Sequence, residues 1–190
     1  MKVGLYFGSF NPIHKGHLAV AEYMQSNAKM EEVWLVVSPQ NPFKNKESLI
    51  GESLRIKMVS LALEGNTVLK ASDVEFSLKQ PSYTFNTLSK LREMHPNHSF
   101  SIIMGADNLE FLNNWYRITE ILKQYPVHVY QRNNEILQSR IPGDFTYHNA
   151  PQIDISSTGI RHKIRSNASI KDDVPRKVEQ YILKNKLYFV

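Results

Sequence analysis

Apolar residues along this chain fall into short unbroken runs, separated by segments with helical spacing. Val3 to Phe7 is one such run; it ends at Gly8 and reads as a buried strand. Val33 to Val37 is a second, closed by Ser38 and Pro39. Phe100 to Met104, closed by Gly105, is a third, and Pro126 to Tyr130 is a fourth. Continuous β-rich runs between turn residues suit parallel strands covered on both faces. Between them Leu54, Met58, Leu61 and Ala62 line up on one helical stripe that Gly65 can end. Leu88, Leu91 and Met94 repeat at helical spacing until Pro96 stops them. Ile160 and Ile164 mark a further helix. Near the end of the sequence, Asp173 can cap a helix with Pro175 in its first turn and Val174, Val178, Tyr181 and Ile182 on its apolar face. Strand–helix alternation of this kind predicts an α/β doubly wound fold. Two stretches lack periodicity. Ser38 to Gly51 reads as a long polar loop, and Asn133 to Gly143 as a short helix followed by a loop.

Composition narrows the classes. The 190 residues are 42% hydrophobic and 22% charged, which suits one soluble domain with a sizeable core. Cysteine is absent, so disulfides and thiolate metal sites are excluded. No apolar run reaches the roughly 18 residues of a membrane span, and Met1 to Phe7 lacks the length of a signal-peptide core. A cytoplasmic enzyme with no membrane partner is the expectation. The net charge of +5 would also fit a nucleic-acid binder, but the Lys and Arg residues are scattered. Small anionic ligands account for the charge without nucleic acid. Self-assembly of the chain stays open.

The candidate chemistry begins where the first strand ends. In open α/β sheets ligands bind beyond the carboxyl ends of the strands. Gly8 sits at such an end, where a missing Cβ can let backbone approach a ligand. Ser9, Phe10 and Asn11 offer amides to a phosphate, Pro12 stiffens the loop, and a helix starting near Lys15 or Gly16 would aim its amino end at the same place. His14 and His17 are three apart, so a helical turn projects both imidazoles to one side. A positioned donor to a phosphate oxygen is worth about 3 kcal/mol when charge grows there in the transition state. Zinc ligation by this pair lacks a third ligand nearby, and neither Gly-Lys-Ser/Thr nor Gly-x-Gly-x-x-Gly is present. Toward the other end, Ser156, Ser157 or Thr158 can cap the helix that carries Ile160, and Arg161 adds a planar cationic fork. An ordinary cap with a solvated Arg is the bland reading of that segment.

Gly8-Ser9-Phe10-Asn11-Pro12 followed by His14-Lys15-Gly16-His17 resembles the signature of the HxGH nucleotidyltransferase superfamily. Ile155-Ser156-Ser157-Thr158-x-x-Arg161 is similar to that superfamily's second motif, which binds the ATP triphosphate. Pro81-Ser82-Tyr83-Thr84, Gly105-Ala106-Asp107 and Trp115-Tyr116 then resemble the bacterial nicotinate-mononucleotide adenylyltransferases, over nearly the whole chain. The resemblance implies a Rossmann-like, doubly wound, mainly parallel sheet with helices on both faces. It implies one domain over residues 1–190, whose helical carboxyl-terminal portion covers about 157–185. It implies attack by nicotinate mononucleotide on the α-phosphate of ATP, giving deamido-NAD and pyrophosphate, with Mg2+ carried by the nucleotide.

Under that resemblance His14 and His17 are the catalytic pair. ATP would meet Gly8, Ser9, Phe10, Asn11, His14, His17, Lys44, Gly105, Asp107, Ile155, Ser156, Ser157, Thr158 and Arg161. The mononucleotide would meet Ser82, Tyr83, Thr84, Trp115 and Tyr116. These roles make physical sense. Trp115 can stack on a pyridine ring, and amides at a helix start can bind its carboxylate. Asp107 can accept from ribose hydroxyls. The bland alternatives are a half-buried core Trp and an Asp at a helix start. One departure is Phe43, where relatives often carry a proton-exchanging His; Lys44 beside it is kept, and Asn11 stands where many relatives carry Asp. Arg132 follows the fourth strand and could meet an anion. Use of nicotinamide mononucleotide, alone or as well, and a nucleotide-binding regulator without turnover are the alternatives.

Overall fold

The computed structural model describes residues 1–39, 49–131 and 138–189. The described chain runs β1 (Lys2–Gly8), α1 (Lys15–Asn27), β2 (Glu32–Val37), α2 (Glu52–Ala62), β3 (Leu69–Ser72), α3 (Thr84–Met94), β4 (Ser99–Gly105), α4 (Ile118–Gln124), β5 (Val127–Tyr130), β6 (Phe145–His148), α5 (Ser157–Arg165) and α6 (Arg176–Lys184). Two 3-10 stretches, Val74–Ser77 and Ala106–Asn114, sit between helices and strands. All six strands form one parallel sheet in the order β3-β2-β1-β4-β5-β6. The expected α/β doubly wound, Rossmann-like architecture is therefore present, with the sheet wholly parallel. Strand order reverses between β1 and β4, so a crevice opens beyond their carboxyl ends.

Alternating side chains send each strand's residues to opposite faces. Tyr6, Val33, Leu35, Val37 and Ile103 join one core with Val20, Ala21 and Met24 of α1, Met58 and Val59 of α2, Ile160 and Ile164 of α5, and Val178 and Ile182 of α6. Val3, Leu5, Val36, Ile102 and Met104 join the other with Leu88 and Leu91 of α3 and Ile121 and Leu122 of α4. Helices thus cover both faces. Among the described residues no helix is long and apolar enough to cross a membrane.

Several local expectations change. Strands β3 and β6 are additional to the four apolar runs. They are only four residues each and lie at the sheet edges, with half-buried or exposed positions that blur the pattern. On α2 the buried stripe is Arg55, Met58 and Val59, while Leu54 and Leu61 are half-buried. The last helix begins after Pro175 with no side-chain cap. Asp173 serves instead as the ion-pair partner of Lys163, at 2.7 Å, and its carbonyl accepts from the Lys15 amide at 2.9 Å. It is therefore an anchor for α1 and α5 rather than a cap.

Candidate active site

The loop after β1 turns sharply. Phe10 takes a left-handed φ of 44°, and its ring is 2% exposed, edge-on to Tyr6 at 5.8 Å. A Cβ on Gly8 would lie 2.7 Å from that ring. Glycine is needed here to admit the Phe10 ring. Beneath the loop the Tyr6 and Tyr130 hydroxyls meet at 3.1 Å, joining β1 to β5 below the crevice.

His14 is the N-cap of α1, and His17 lies in its first turn. The His14 Nδ1 accepts from the His17 amide at 3.4 Å, and the His17 Nδ1 accepts from the His14 amide at 3.3 Å. This reciprocal capping box satisfies helix-end amides with imidazoles in place of the usual Ser and Glu. A ring that accepts at Nδ1 carries its hydrogen on Nε2, so the geometry selects the Nε2–H tautomer for both. The rings stack at 3.6 Å between centroids, and His17 also packs on Phe10 at 5.1 Å. Gly16 makes the stack feasible, because a Cβ there would sit 3.0 Å from His14 Nδ1.

The second motif docks onto this loop from 145 residues away. Ser156 caps α5 by accepting from the Gly159 amide at 3.0 Å. Ser157 donates to the Pro12 carbonyl at 2.8 Å, and Arg161 donates to the Asn11 carbonyl at 2.8 Å and to Thr158 Oγ1 at 3.2 Å. Burial draws the Arg161 guanidinium below its usual range, the first cause among several. Ile155 lies at the same junction, its carbonyl 3.8 Å from where a Gly16 Cβ would be. The two sequence motifs therefore form one surface.

Asn11 behaves differently from expectation. It is 5% exposed, and its Oδ1 accepts from the Tyr188 hydroxyl at 2.9 Å and from the Ile50 amide at 3.4 Å. That acceptor is committed to the scaffold, which changes its expected role at a ligand. Burial pushes the Tyr188 phenol up in pKa, so it stays a donor. Arg55, 1% exposed, was not anticipated. Its guanidinium donates to the carbonyls of Ile50 at 2.9 Å, Ser9 at 2.8 Å, Ser38 at 2.7 Å and Pro39 at 2.9 Å. One side chain thus ties the loops after β1 and β2 to the start of α2. The signal for it in the sequence is a cation sharing a helical stripe with Met58 and Val59.

The acceptor-side residues gather around α3. Tyr83 is its N-cap and makes no side-chain capping bond; Thr84 opens the helix. The Tyr83 and Tyr116 rings lie 5.2 Å apart, Phe85 is 6.1 Å from Tyr116, and Arg117 sits 4.0 Å over Phe85. Trp115 is half-buried against the second core, while Tyr116 is exposed. Ser82, assigned above to substrate, is buried, and its hydroxyl donates to Glu75 Oε2 at 2.8 Å. That hydroxyl is therefore held by the scaffold. Gly105 ends β4 opposite Tyr130, and exposed Asp107 follows in the first turn of the 3-10 stretch, its Oδ1 accepting from Asn108 at 3.3 Å. Lys44, Phe43 and Arg132 lie outside the described residues. Among the described residues no group of three or more His, Cys, Asp or Glu side chains could hold a metal ion.

Comparison with known proteins agrees with this geometry. Residues 5–163 match the cytidylyltransferase-like family. A Flavobacterium johnsoniae protein named "probable nicotinate-nucleotide adenylyltransferase" is 44% identical over 191 aligned positions, covering 99% of both chains. A Caldicellulosiruptor saccharolyticus protein of the same name is 39% identical, again covering 99% of both. In fold, the chain is similar to a Plasmodium falciparum nicotinic acid mononucleotide adenylyltransferase complexed with NaAD, with a TM-score of 0.80 at 21% identity, covering 98% of this chain and 97% of that one. The same parasite enzyme complexed with APC gives a TM-score of 0.79.

Proposed function

Because the chain belongs to the nicotinate-nucleotide adenylyltransferase family, we infer that it transfers an adenylyl group from ATP to nicotinate mononucleotide, a step of NAD biosynthesis. A phosphate oxygen of the mononucleotide attacks the α-phosphorus in line. The new P–O bond makes deamido-NAD, and the bond to the β-phosphate breaks with its electrons leaving on pyrophosphate. No covalent enzyme intermediate is required, so catalysis is positioning and charge stabilisation. We read residues 1–190 as one domain devoted to this reaction.

The observation that carries the assignment of roles is the docking of Ser157 and Arg161 onto the Pro12 and Asn11 carbonyls beside the stacked His14–His17 pair. With both Nδ1 atoms bound to backbone, each ring can address a phosphate only through its Nε2 edge, as a donor. His14 and His17 would bind the α-phosphate oxygens. Thr158, Arg161 and Lys44 would hold the leaving pyrophosphate, helped by the amino end of α5 at Ser156. Gly8, Ser9 and Phe10 would supply loop backbone. Gly105 and Asp107 would border the ribose. Tyr83 and Thr84 amides would receive the nicotinate carboxylate, with Trp115 and Tyr116 beside the ring. The described donors at the phosphate side are amides, hydroxyls, imidazoles and a guanidinium, which suit phosphate oxygens, and no group of three or more His, Cys, Asp or Glu stands among the described residues to hold a cation. Mg2+ would therefore arrive on the ATP phosphates and neutralise their charge.

The test is pyrophosphate release from ATP across a panel of phosphorylated acceptors. Nicotinate mononucleotide is expected to give the highest kcat/KM, well above its amide. Equal turnover of acid and amide would favour dual specificity, and no release with any acceptor would leave only a nucleotide-binding role.

A further inference from the structure

Between the two halves of the crevice lies a carboxylate with no part in the chemistry above. Glu75, in the first 3-10 stretch, is 2% exposed. Its Oε2 accepts from Ser82 Oγ at 2.8 Å, and its Oε1 accepts from Thr87 Oγ1 at 2.8 Å. The Ser38 hydroxyl donates to the same carboxylate. Burying a carboxylate is costly unless hydrogen bonds satisfy it, and these three donors do so. Burial nonetheless raises its pKa, ahead of the lowering effect of those donors.

The placement of the donors is informative. Ser82 precedes the N-cap of α3, and Thr87 lies one turn inside the helix. They bracket the turn that presents the Tyr83 and Thr84 amides. No side chain caps that turn from above, so Glu75 grips it from below. The third donor, Ser38, belongs to the other half of the site, where its amide donates to the Gly8 carbonyl at 2.9 Å. Ser38 is also fixed by Arg55 at 2.7 Å, so the phosphate side keeps its geometry without Glu75. Among the described residues the Ser82 hydroxyl bonds Glu75 alone, while the Thr87 hydroxyl also reaches the Tyr83 carbonyl at 3.3 Å.

We propose that Glu75 is a positioning residue for acceptor recognition, clamping the Ser82–Thr87 turn so that its amides meet the mononucleotide carboxylate. This rests on the function inferred above. Small displacements of binding groups have large kinetic effects, and sites built to hydrogen-bond a group discriminate strongly against its analogue. Glu75→Ala should therefore raise KM for nicotinate mononucleotide about tenfold, with KM for ATP within about twofold, and lower the acid-to-amide ratio of kcat/KM about tenfold. Glu75→Gln should recover most of that ratio, because its carbonyl accepts from one hydroxyl while its amide donates to another. A parallel rise of both KM values, or an unchanged acid-to-amide ratio, would overturn the clamp. If Glu75→Ala does not fold, Thr87→Val decides by the same ratio. A fall of about threefold is expected for that loss of one donor, and a wild-type ratio would refute the proposal. Failure of the underlying function would show separately, as wild-type protein releasing no pyrophosphate with ATP and nicotinate mononucleotide.

Discussion

Around the loop after β1, buried polar groups hold one another. Asn11 bonds Tyr188, Arg161 bonds the Asn11 carbonyl, Ser157 bonds Pro12, and Arg55 gathers four carbonyls from three segments. Around the start of α3 the arrangement is open. Tyr83 and Tyr116 stand 37% and 49% exposed, and the turn that opens α3 is held by Glu75, through Ser82 and Thr87, and by the Thr87 hydroxyl on the Tyr83 carbonyl at 3.3 Å. Under the proposed function, the contrast matches what each region would bind. A triphosphate has many equivalent oxygens and a fixed reaction line, which rewards a rigid cradle. A flat ring with one carboxylate needs surfaces to lie against and a few aimed donors. The cradle should therefore answer mutation with lost stability or turnover, and the open side with lost acceptor affinity.

The largest expected effect is on the cradle's frame. Arg55→Ala leaves four buried or half-buried carbonyls without this donor, and at about 1 kcal/mol each should destabilise the fold by about 3–4 kcal/mol in urea titration. A loss below about 1 kcal/mol would mean that solvent replaces the guanidinium and that the frame is looser than drawn. Next comes His17→Ala. Loss of one transition-state donor should cut kcat about a hundredfold to a thousandfold. Near-normal turnover would remove His17 from the phosphate and leave it a structural role in its capping bond to His14 and its packing on Phe10.

The same contrast explains what could be read from the sequence. Covered parallel strands left continuous apolar runs, so β1, β2, β4 and β5 were legible, as was the doubly wound class. Edge strands β3 and β6 were not, since four residues with one side in solvent carry little pattern. The local structure of the two motifs was legible because spacing suffices: His14 and His17 share a helical turn, and Ser156 to Arg161 open a helix. Their joining was expected only through a resemblance. Arg55, Glu75 and Tyr188 escaped notice because a charged or polar side chain gives no sign of whether it faces water or buried partners, which here lie from 5 to 177 residues away. Ser82 was named at this turn, but the bond of its hydroxyl to Glu75, seven residues earlier, was not foreseen.

Smaller effects probe each side's margin. Trp115→Ala should raise KM for nicotinate mononucleotide about tenfold while leaving KM for ATP nearly unchanged, the loss of one stacked aromatic face. Equal effects on both substrates would mean that half-buried Trp115 supports the fold alone and that the exposed Tyr83–Tyr116 pair does the ring contact. The mildest change is Tyr188→Phe. It removes the hydroxyl that donates to Asn11 Oδ1 but keeps the buried ring, so it isolates one hydrogen bond of the cradle. One such bond is worth about 1 kcal/mol net, and the stranded acceptor here keeps the Ile50 amide as a partner. Stability should fall by about 1 kcal/mol, read as a lower urea midpoint at unchanged slope. Acceptor KM should not move, because none of the described bonds of Asn11 reaches the α3 turn. A change in the acid-to-amide ratio in this variant would show that the cradle and the acceptor turn act as one unit, and would dissolve the distinction between them.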